Sequence, residues 1–316
     1  MTKKNDVYLI ISIDVEEDMP NWEIEETTTI RNFECIPRLQ SVFDKYKVMP
    51  TYLIDYPYAT DKNAVKYFNS IKDKCEIGAH MHPWNTPPLT EEESRKVEYP
   101  CNLSYERQFE KTKSVTEKLA NAFGRSPTSY RAGKYGFNMD TKKILERLGY
   151  LVDTSITPMV SWKNQNGPSF LDYRANPFWF GDPKSSLLEV PVTIGLTKNI
   201  SKLFEKIYLN IPKCTRIKGI LSKDYLNLID LVWIYPVLFS EKEMILLVDT
   251  LIKKSLSVFN VFFHSSEFKT GESLYSKTDE DVNKYFERLE IFLDYMMNKK
   301  NVRSVTLSGY RDLHKD

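Results

Sequence analysis

Glu76-Ile77-Gly78-Ala79-His80-Met81-His82-Pro83-Trp84 is a short apolar run that ends in two histidines one residue apart. The run reads as a β-strand, with the histidines at its C-terminal tip. In extended backbone, residues i and i+2 project to the same side. The pair therefore presents two imidazoles to one point, as a metal ion requires. The chain holds four histidines, so this stretch takes two of them. An exposed loop pair would have the same spacing, and the rest of the chain separates the two readings.

Upstream, residues 7–13 read as a buried strand, apolar and free of breakers. It runs into Asp14-Val15-Glu16-Glu17-Asp18, where Asp14 and Glu16 alternate and share a face. Acids crowded at a strand end repel, and a cation relieves them, although a solvated acidic loop is the plainer reading of this stretch alone. Helical spacing follows over 30–46 and 61–72, with a strand at 50–54 between them. Downstream of the histidines, Trp84-Asn85-Thr86-Pro87-Pro88 is rich in turn residues. Residues 104–123 form an amphipathic helix with Phe109, Val115, Leu119 and Phe123 on its apolar side, closed by Gly124.

Ser129-Tyr130-Arg131 then delivers an arginine into the loop Ala132-Gly133-Lys134-Tyr135-Gly136. A helix over 138–148 and a strand ending at Asp153 follow. The rhythm breaks in two irregular stretches, 158–187 and 195–240, with a strand-like 187–193 containing Glu189 between them. It returns with a helix over 241–255 and a strand over 258–263 that ends in His264-Ser265-Ser266-Glu267. A helix over 279–298 and a strand over 303–307 close the chain. Strand–helix repetition implies parallel strands with crossover helices, here one domain over residues 1–316. Asp14, Glu16, His80, His82, Arg131, Asp153 and His264 fall at strand ends, where α/β barrels gather their chemistry. His314, near the terminus, reads as a surface residue.

The 44 basic and 43 acidic side chains nearly cancel, which gives no electrostatic case for nucleic acid. Hydrophobic content of 41% suits a globular fold. Cys35, Cys75, Cys101 and Cys214 are scattered, as expected of reduced thiols. No stretch approaches the roughly 18 apolar residues of a membrane span; the apolar run over 226–238 is shorter and carries Asp230. The first apolar run is too short for a signal segment, so a cytoplasmic location is expected. No Gly-x-Ser-x-Gly elbow accompanies Ser265 or Ser266.

In this order, these stretches resemble the polysaccharide deacetylases of the NodB-homology type, carbohydrate esterase family four. Ser12-Ile13-Asp14-Val15-Glu16 stands where that family has a strand ending in an aspartate pair. Glu76-Ile77-Gly78-Ala79-His80 matches its histidine motif, and Tyr130-Arg131-Ala132-Gly133-Lys134-Tyr135-Gly136 its arginine motif. Asp153 matches a later strand-end aspartate, and Phe262-Phe263-His264 the terminal histidine motif. The matches span nearly the whole chain. A divergent branch linked to bacterial glycan biosynthesis has similar His-x-His-Pro loops.

The resemblance implies a distorted (β/α) barrel, with 158–187 and 195–240 as insertions, and hydrolytic removal of acetyl from an N-acetylated sugar. It also implies one divalent metal ion, commonly zinc, held from among Asp14, Glu16, His80 and His82. Asp14, Arg131 and His264 would be catalytic: base, orienting group and acid. Trp84, Tyr135 and Glu267 would meet substrate, with Glu267 either bonded to His264 or solvated. Trp84, Trp179 and Trp233 suit a sugar-stacking platform, with plain core packing as the alternative.

Two departures stand out. The family's Asp-Asp is here Asp-Val-Glu, which leaves open which of Asp14 and Glu16 is base and which is ligand. The family's second histidine lies four residues after the first, a place held here by Trp84. The expected partner is an acetylated sugar or glycan intermediate of surface polysaccharide synthesis; the oligomeric state is left open. The alternatives are a hydrolase of a non-sugar amide and an inactive carbohydrate-binding barrel.

Overall fold

The computed structural model describes residues 6–21, 24, 28–90, 97–182, 186–198, 230–300 and 302–314. In chain order the main elements are β1 (Tyr8–Val15), α1 (Ile36–Tyr46), β2 (Thr51–Ile54), α2 (Tyr56–Thr60), α3 (Lys62–Ser70) and β3 (Glu76–Met81). Next come α4 (Tyr105–Phe123), β4 (Ser129–Ala132), α5 (Met139–Arg147), β5 (Val152–Asp153), β6 (Phe178–Trp179), β7 (Leu188–Glu189), β8 (Ile194–Leu196) and β9 (Leu231–Trp233). The chain ends with α6 (Glu241–Lys253), β10 (Val258–His264), α7 (Asp279–Asp294), β11 (Arg303–Ser304) and α8 (Leu307–Asp312).

The helices start where the sequence supplies caps. Ser104 accepts from the Arg107 amide at α4, and capping boxes pair Asn138 with Thr141, Ser240 with Glu243 and Thr278 with Asp281. Gly124, at φ 72°, ends α4 in the left-handed conformation that glycine adopts without strain.

The strands run in the order β10-β1-β2-β3-β4-β5-β7, all parallel, with β6 antiparallel on β7 and β11 beside β1. Every residue of β1 is buried, because helices cover one face and the other lines the interior. The curved sheet closes where Thr193 N–H donates to Asn260 O at 2.9 Å and Asn260 N–H to Thr193 Oγ1 at 2.8 Å. A seam of one backbone bond and one side-chain bond in place of a full ladder makes this a distorted (β/α) barrel.

The interior is layered. Tyr8, Ile10, Leu53, Val152 and Leu188 pack at the floor against Leu307 and Tyr310 of α8. A polar layer lies above, in which Ser12 Oγ donates to Asn260 Oδ1 at 2.7 Å and Asn260 Nδ2 to Thr154 Oγ1 at 2.8 Å. Asp14, His80 and His264 stand at the C-terminal ends. A Cβ at Gly78 would lie 2.4 Å from Ser129 Oγ and 2.6 Å from a Leu53 methyl, so the barrel wall requires glycine there.

The expected strand over 303–307 is a correction: only Arg303 and Ser304 pair, and Leu307–Asp312 is a helix. Val305-Thr306-Leu307 has strand chemistry, but Thr306 caps a helix by accepting from Gly309 N–H at 3.1 Å. The strand over 187–193 shortens to β7. Phe109 leaves the buried face of α4, which runs through Gln108, Lys111, Thr112, Val115, Thr116 and Leu119; its ring instead stacks on Tyr105 and under Arg147.

The stretch 158–187 contains β6 and a Ser161–Ser169 bridge, and β8 pairs with β9 at the described ends of 195–240. Residues 199–229, with Cys214, lie outside the described residues. Cys35, Cys75 and Cys101 are free thiols, and His314 is exposed, stacked on Tyr310. No helix among the described residues is long and apolar enough to cross a membrane.

Candidate active site

Period-2 alternation places Ser12, Asp14 and Glu16 in line on the interior side of β1 and its continuation. Ser265 Oγ and the Asn32 amide hold the Glu16 backbone, accepting from its N–H at 3.4 Å and donating to its O at 2.9 Å. His80 lies within β3 and His82 just beyond it, and their rings meet at right angles, 4.5 Å apart. Register sets Asp14 beside His264 and His80 beside Arg131. Neighbouring parallel strands thus bring side chains from distant sequence to one rim.

Glu16 Oε2 lies 2.7 Å from His82 Nε2 and 3.2 Å from His80 Nε2, and the two nitrogens are 2.9 Å apart. All three residues are buried. His80 Nδ1 faces the Arg131 carbonyl at 3.0 Å. A carbonyl only accepts, so Nδ1 carries the proton and Nε2 presents a lone pair. A lone pair and a carboxylate aimed at one point call for a cation. The separations approach the edge of a tetrahedron with metal bonds of about 2.0–2.2 Å, roughly 3.3 Å. The Nδ1–carbonyl bond also matches the way metal-ligating histidines are oriented. The residues present therefore fit a divalent metal, and among the described residues this is the one such cluster.

Burial works to raise the Glu16 carboxyl, but the charge of His264 and the adjacent His80 and His82 rings outweigh it and hold it well below the usual range. Burial, with the neighbouring His80, pushes His82 down to about 4. Glu16 Oε1 and His82 Nδ1 have no hydrogen-bond partner among the described residues.

Asp14 belongs to a different pair. Its Oδ1 accepts from Arg131 Nη1 at 2.6 Å. Arg131, fully buried, also donates from Nη2 to Ser12 Oγ at 2.5 Å and from Nε to Thr154 O at 3.0 Å. His264 Nε2 stands 3.8 Å from Asp14 Oδ2 and 4.0 Å from Glu16 Oε1, while its Nδ1 pairs with Glu267 Oε1 at 3.2 Å. Glu267 also accepts from the His264 amide and the Tyr235 hydroxyl. Burial lowers the imidazolium's stability, but the charges of Glu267, Glu16 and Asp14 outweigh it and push His264 up to about 10. It is a cation at neutral pH.

These groups open on a cavity of about 500 Å³ with a largely aromatic wall. Trp84 and Tyr135 line it with Trp162 and Trp233, and Tyr135 stacks on Trp162 at 5.9 Å. Trp162 and Trp233 come from the two irregular stretches, whose described parts therefore contribute to the cavity wall. The platform expectation fails for Trp179: it packs on the barrel floor under Arg311, because β6 pairs there with β7. Asp153 does not reach the cavity; it sits buried beside Glu189 across β5 and β7. Burial raises both carboxyls, and each also feels the other. Glu267 lies behind His264, outside the cavity lining.

Sequence reasoning missed Ser12, Thr154, Asn260 and Tyr235. Ser12 shares the face of Asp14, and Asn260 is a lone polar residue inside an apolar strand; both were signals. Thr154 and Tyr235 carried none.

No family model matches the sequence, and none of the curated proteins does. The fold is similar to solved structures. One is a protein from Mycobacterium smegmatis assigned as a polysaccharide deacetylase, at TM-score 0.58 and 14% identity, covering 99% of this chain and 92% of that one. Another, from Pseudomonas aeruginosa PAO1, is also assigned as a polysaccharide deacetylase, at TM-score 0.56 and 11% identity over 99% and 93% of the two chains. A third is PuuE allantoinase, at TM-score 0.56 and 10% identity over 100% and 94%. The chain has the polysaccharide-deacetylase barrel.

Proposed function

We propose that this protein is a metal-dependent hydrolase that removes the acetyl group from an N-acetylated sugar, an intermediate of surface glycan synthesis. The observation that carries the reading is the convergence of Glu16, His80 and His82 beside two distinct charged pairs, Asp14–Arg131 and His264–Glu267. Glu16, His80 and His82 would hold the metal, with zinc the leading candidate from the donor set. When bound, such a metal supplies a Lewis acid and a water acidified toward neutrality.

Asp14 accepts the proton of the attacking water. Arg131 holds that carboxylate in place through its Nη1 bond to Oδ1. His264, charged at neutral pH, donates its Nε2 proton to the departing nitrogen, which an amide needs because an amide anion leaves poorly. Glu267 fixes the ring through Nδ1, so the acidic proton is the one at Nε2. Trp84, Tyr135, Trp162 and Trp233 present aromatic faces suited to a sugar ring and exclude water. Asp14 and His264 thus divide base and acid work by environment, one beside a guanidinium and the other beside a carboxylate.

The likeness to an allantoinase supports a second reading, a non-sugar amide as substrate. Acetate release separates the two. Purified protein loaded with zinc should release acetate from an N-acetylated monosaccharide or its nucleotide- or lipid-linked form. Hydrolysis of cyclic or aliphatic amides, with none of acetylated sugars, would favour the second reading. Sugar binding without turnover would make the barrel a binding module.

A further inference from the structure

His82 is held by more than its bond to Glu16. One face of its ring lies against the Trp84 indole, with centroids 4.1 Å apart and planes 35° apart. Gly133 also lies against the ring: a Cβ there would fall 2.3 Å from His82 Nδ1 and 2.8 Å from Cε1. No side chain fits there without displacing the imidazole. The indole is itself fixed, because Trp84 Nε1–H donates to Glu17 Oε1. Glu17 is anchored in turn: its amide donates to Asp55 Oδ2 at 3.0 Å, and the Asn85 side chain donates to the same oxygen at 3.3 Å. Trp84, Glu17 and Asp55 are all buried. His82 has no orienting hydrogen bond of the kind His80 Nδ1 makes to the Arg131 carbonyl. Apart from the contacts at Nε2, its orientation comes from packing.

We propose that Trp84 and Glu17 are positioning residues for a metal ligand: Glu17 locks the indole, and the indole and Gly133 clamp the His82 ring so that Nε2 faces Glu16 and His80. The proposal rests on the metal reading given above. It assigns Trp84 a role apart from substrate stacking, and it explains how a His-x-His pair on a strand end supplies a second ligand although the tryptophan occupies the place four residues on. Removing an outer partner of a metal ligand typically weakens metal binding about 10–100-fold.

The test is zinc affinity by chelator competition, with the visible absorption of the cobalt(II)-loaded protein as a probe of coordination geometry. Trp84→Leu, Glu17→Ala and Gly133→Ala should each weaken zinc binding by about 10–100-fold and alter the cobalt spectrum. Glu17→Gln, whose amide oxygen still accepts from the indole N–H, should bind within about threefold of wild type, well short of the 10-fold that loss of an outer partner brings. Should Trp84→Leu fail to fold, the two Glu17 variants carry the same comparison. Wild-type affinity and an unchanged cobalt spectrum in Glu17→Ala and Gly133→Ala would overturn the proposal, as would equal losses in Glu17→Gln and Glu17→Ala. A wild type that takes up neither metal overturns the metal reading and this inference with it.

Discussion

Among the described residues, Arg131 is the largest side chain buried in full, and it ends on the carboxylate of Asp14. Its loss would strand that charge in the barrel. Arg131→Met should therefore destabilise the fold by about 3–5 kcal/mol, measured by denaturant unfolding. A loss below about 1 kcal/mol would show that the pair is dispensable to stability, as exposed pairs are. His264 gives a prediction of a different kind. Because its folded value is raised to about 10, its charge stabilises the fold fully below the ordinary histidine range, and that contribution disappears as pH rises through about 10. Activity dependent on its proton should fall along the same alkaline limb. Glu267→Gln removes the strongest of the influences that raise His264, so the limb should move to lower pH; a limb that stays put contradicts the assignment of His264 as acid. At this scale the sequence was most legible where polar residues interrupt apolar runs, as Asp14, His80 and His264 do. It was silent on pairings, because which carboxylate meets Arg131 depends on strand register.

The β3 strand and the loop after it are the element on which the site depends. Gly78 allows β3 to pass Ser129 and Leu53. Gly78→Ala should cost about 1–3 kcal/mol through overpacking, read as a lower unfolding midpoint; an unchanged midpoint would mean the wall yields. Lys111, buried on α4, donates from Nζ to Thr86 O at 2.8 Å and to Pro88 O at 2.7 Å. It ties α4 to the loop that carries Trp84. Lys111→Met should leave those carbonyls under-bonded, at about 1–3 kcal/mol, and speed amide exchange in residues 84–86. Exchange as slow as in wild type would place the loop's support elsewhere. Neither tie was readable beforehand: an apolar stripe through Phe109 fits helical spacing, and Val115 and Leu119 are buried on it, yet the face turns to bury Lys111 because the loop beside it offers carbonyls. The α8 helix was missed for a related reason. Val305 and Leu307 suit a strand, and only the Thr306 cap and the barrel floor select a helix.

Across the whole molecule, alternating strand and helix signals carried the barrel, since parallel strands need crossovers and both sheet faces become buried. The seam did not show in advance. It is made between Thr193 and Asn260 by one backbone bond and one bond to the Thr193 hydroxyl, not by a ladder, and periodicity cannot report that. The layering follows from β1 itself: Tyr8 and Ile10 at the floor, Ser12 in the polar layer, Asp14 and Glu16 at the rim. Each step of two residues rises about 6.6 Å, so one strand carries core, support and chemistry in sequence.

Metal content of the purified protein, measured by mass spectrometry in wild type, Glu16→Gln and His82→Ala, tests the central claim most directly. The account predicts about one equivalent of zinc or another divalent ion in wild type, and its loss in both variants with far-UV circular dichroism unchanged. A wild type that stays metal-free after reconstitution, or variants that keep full occupancy, would contradict it.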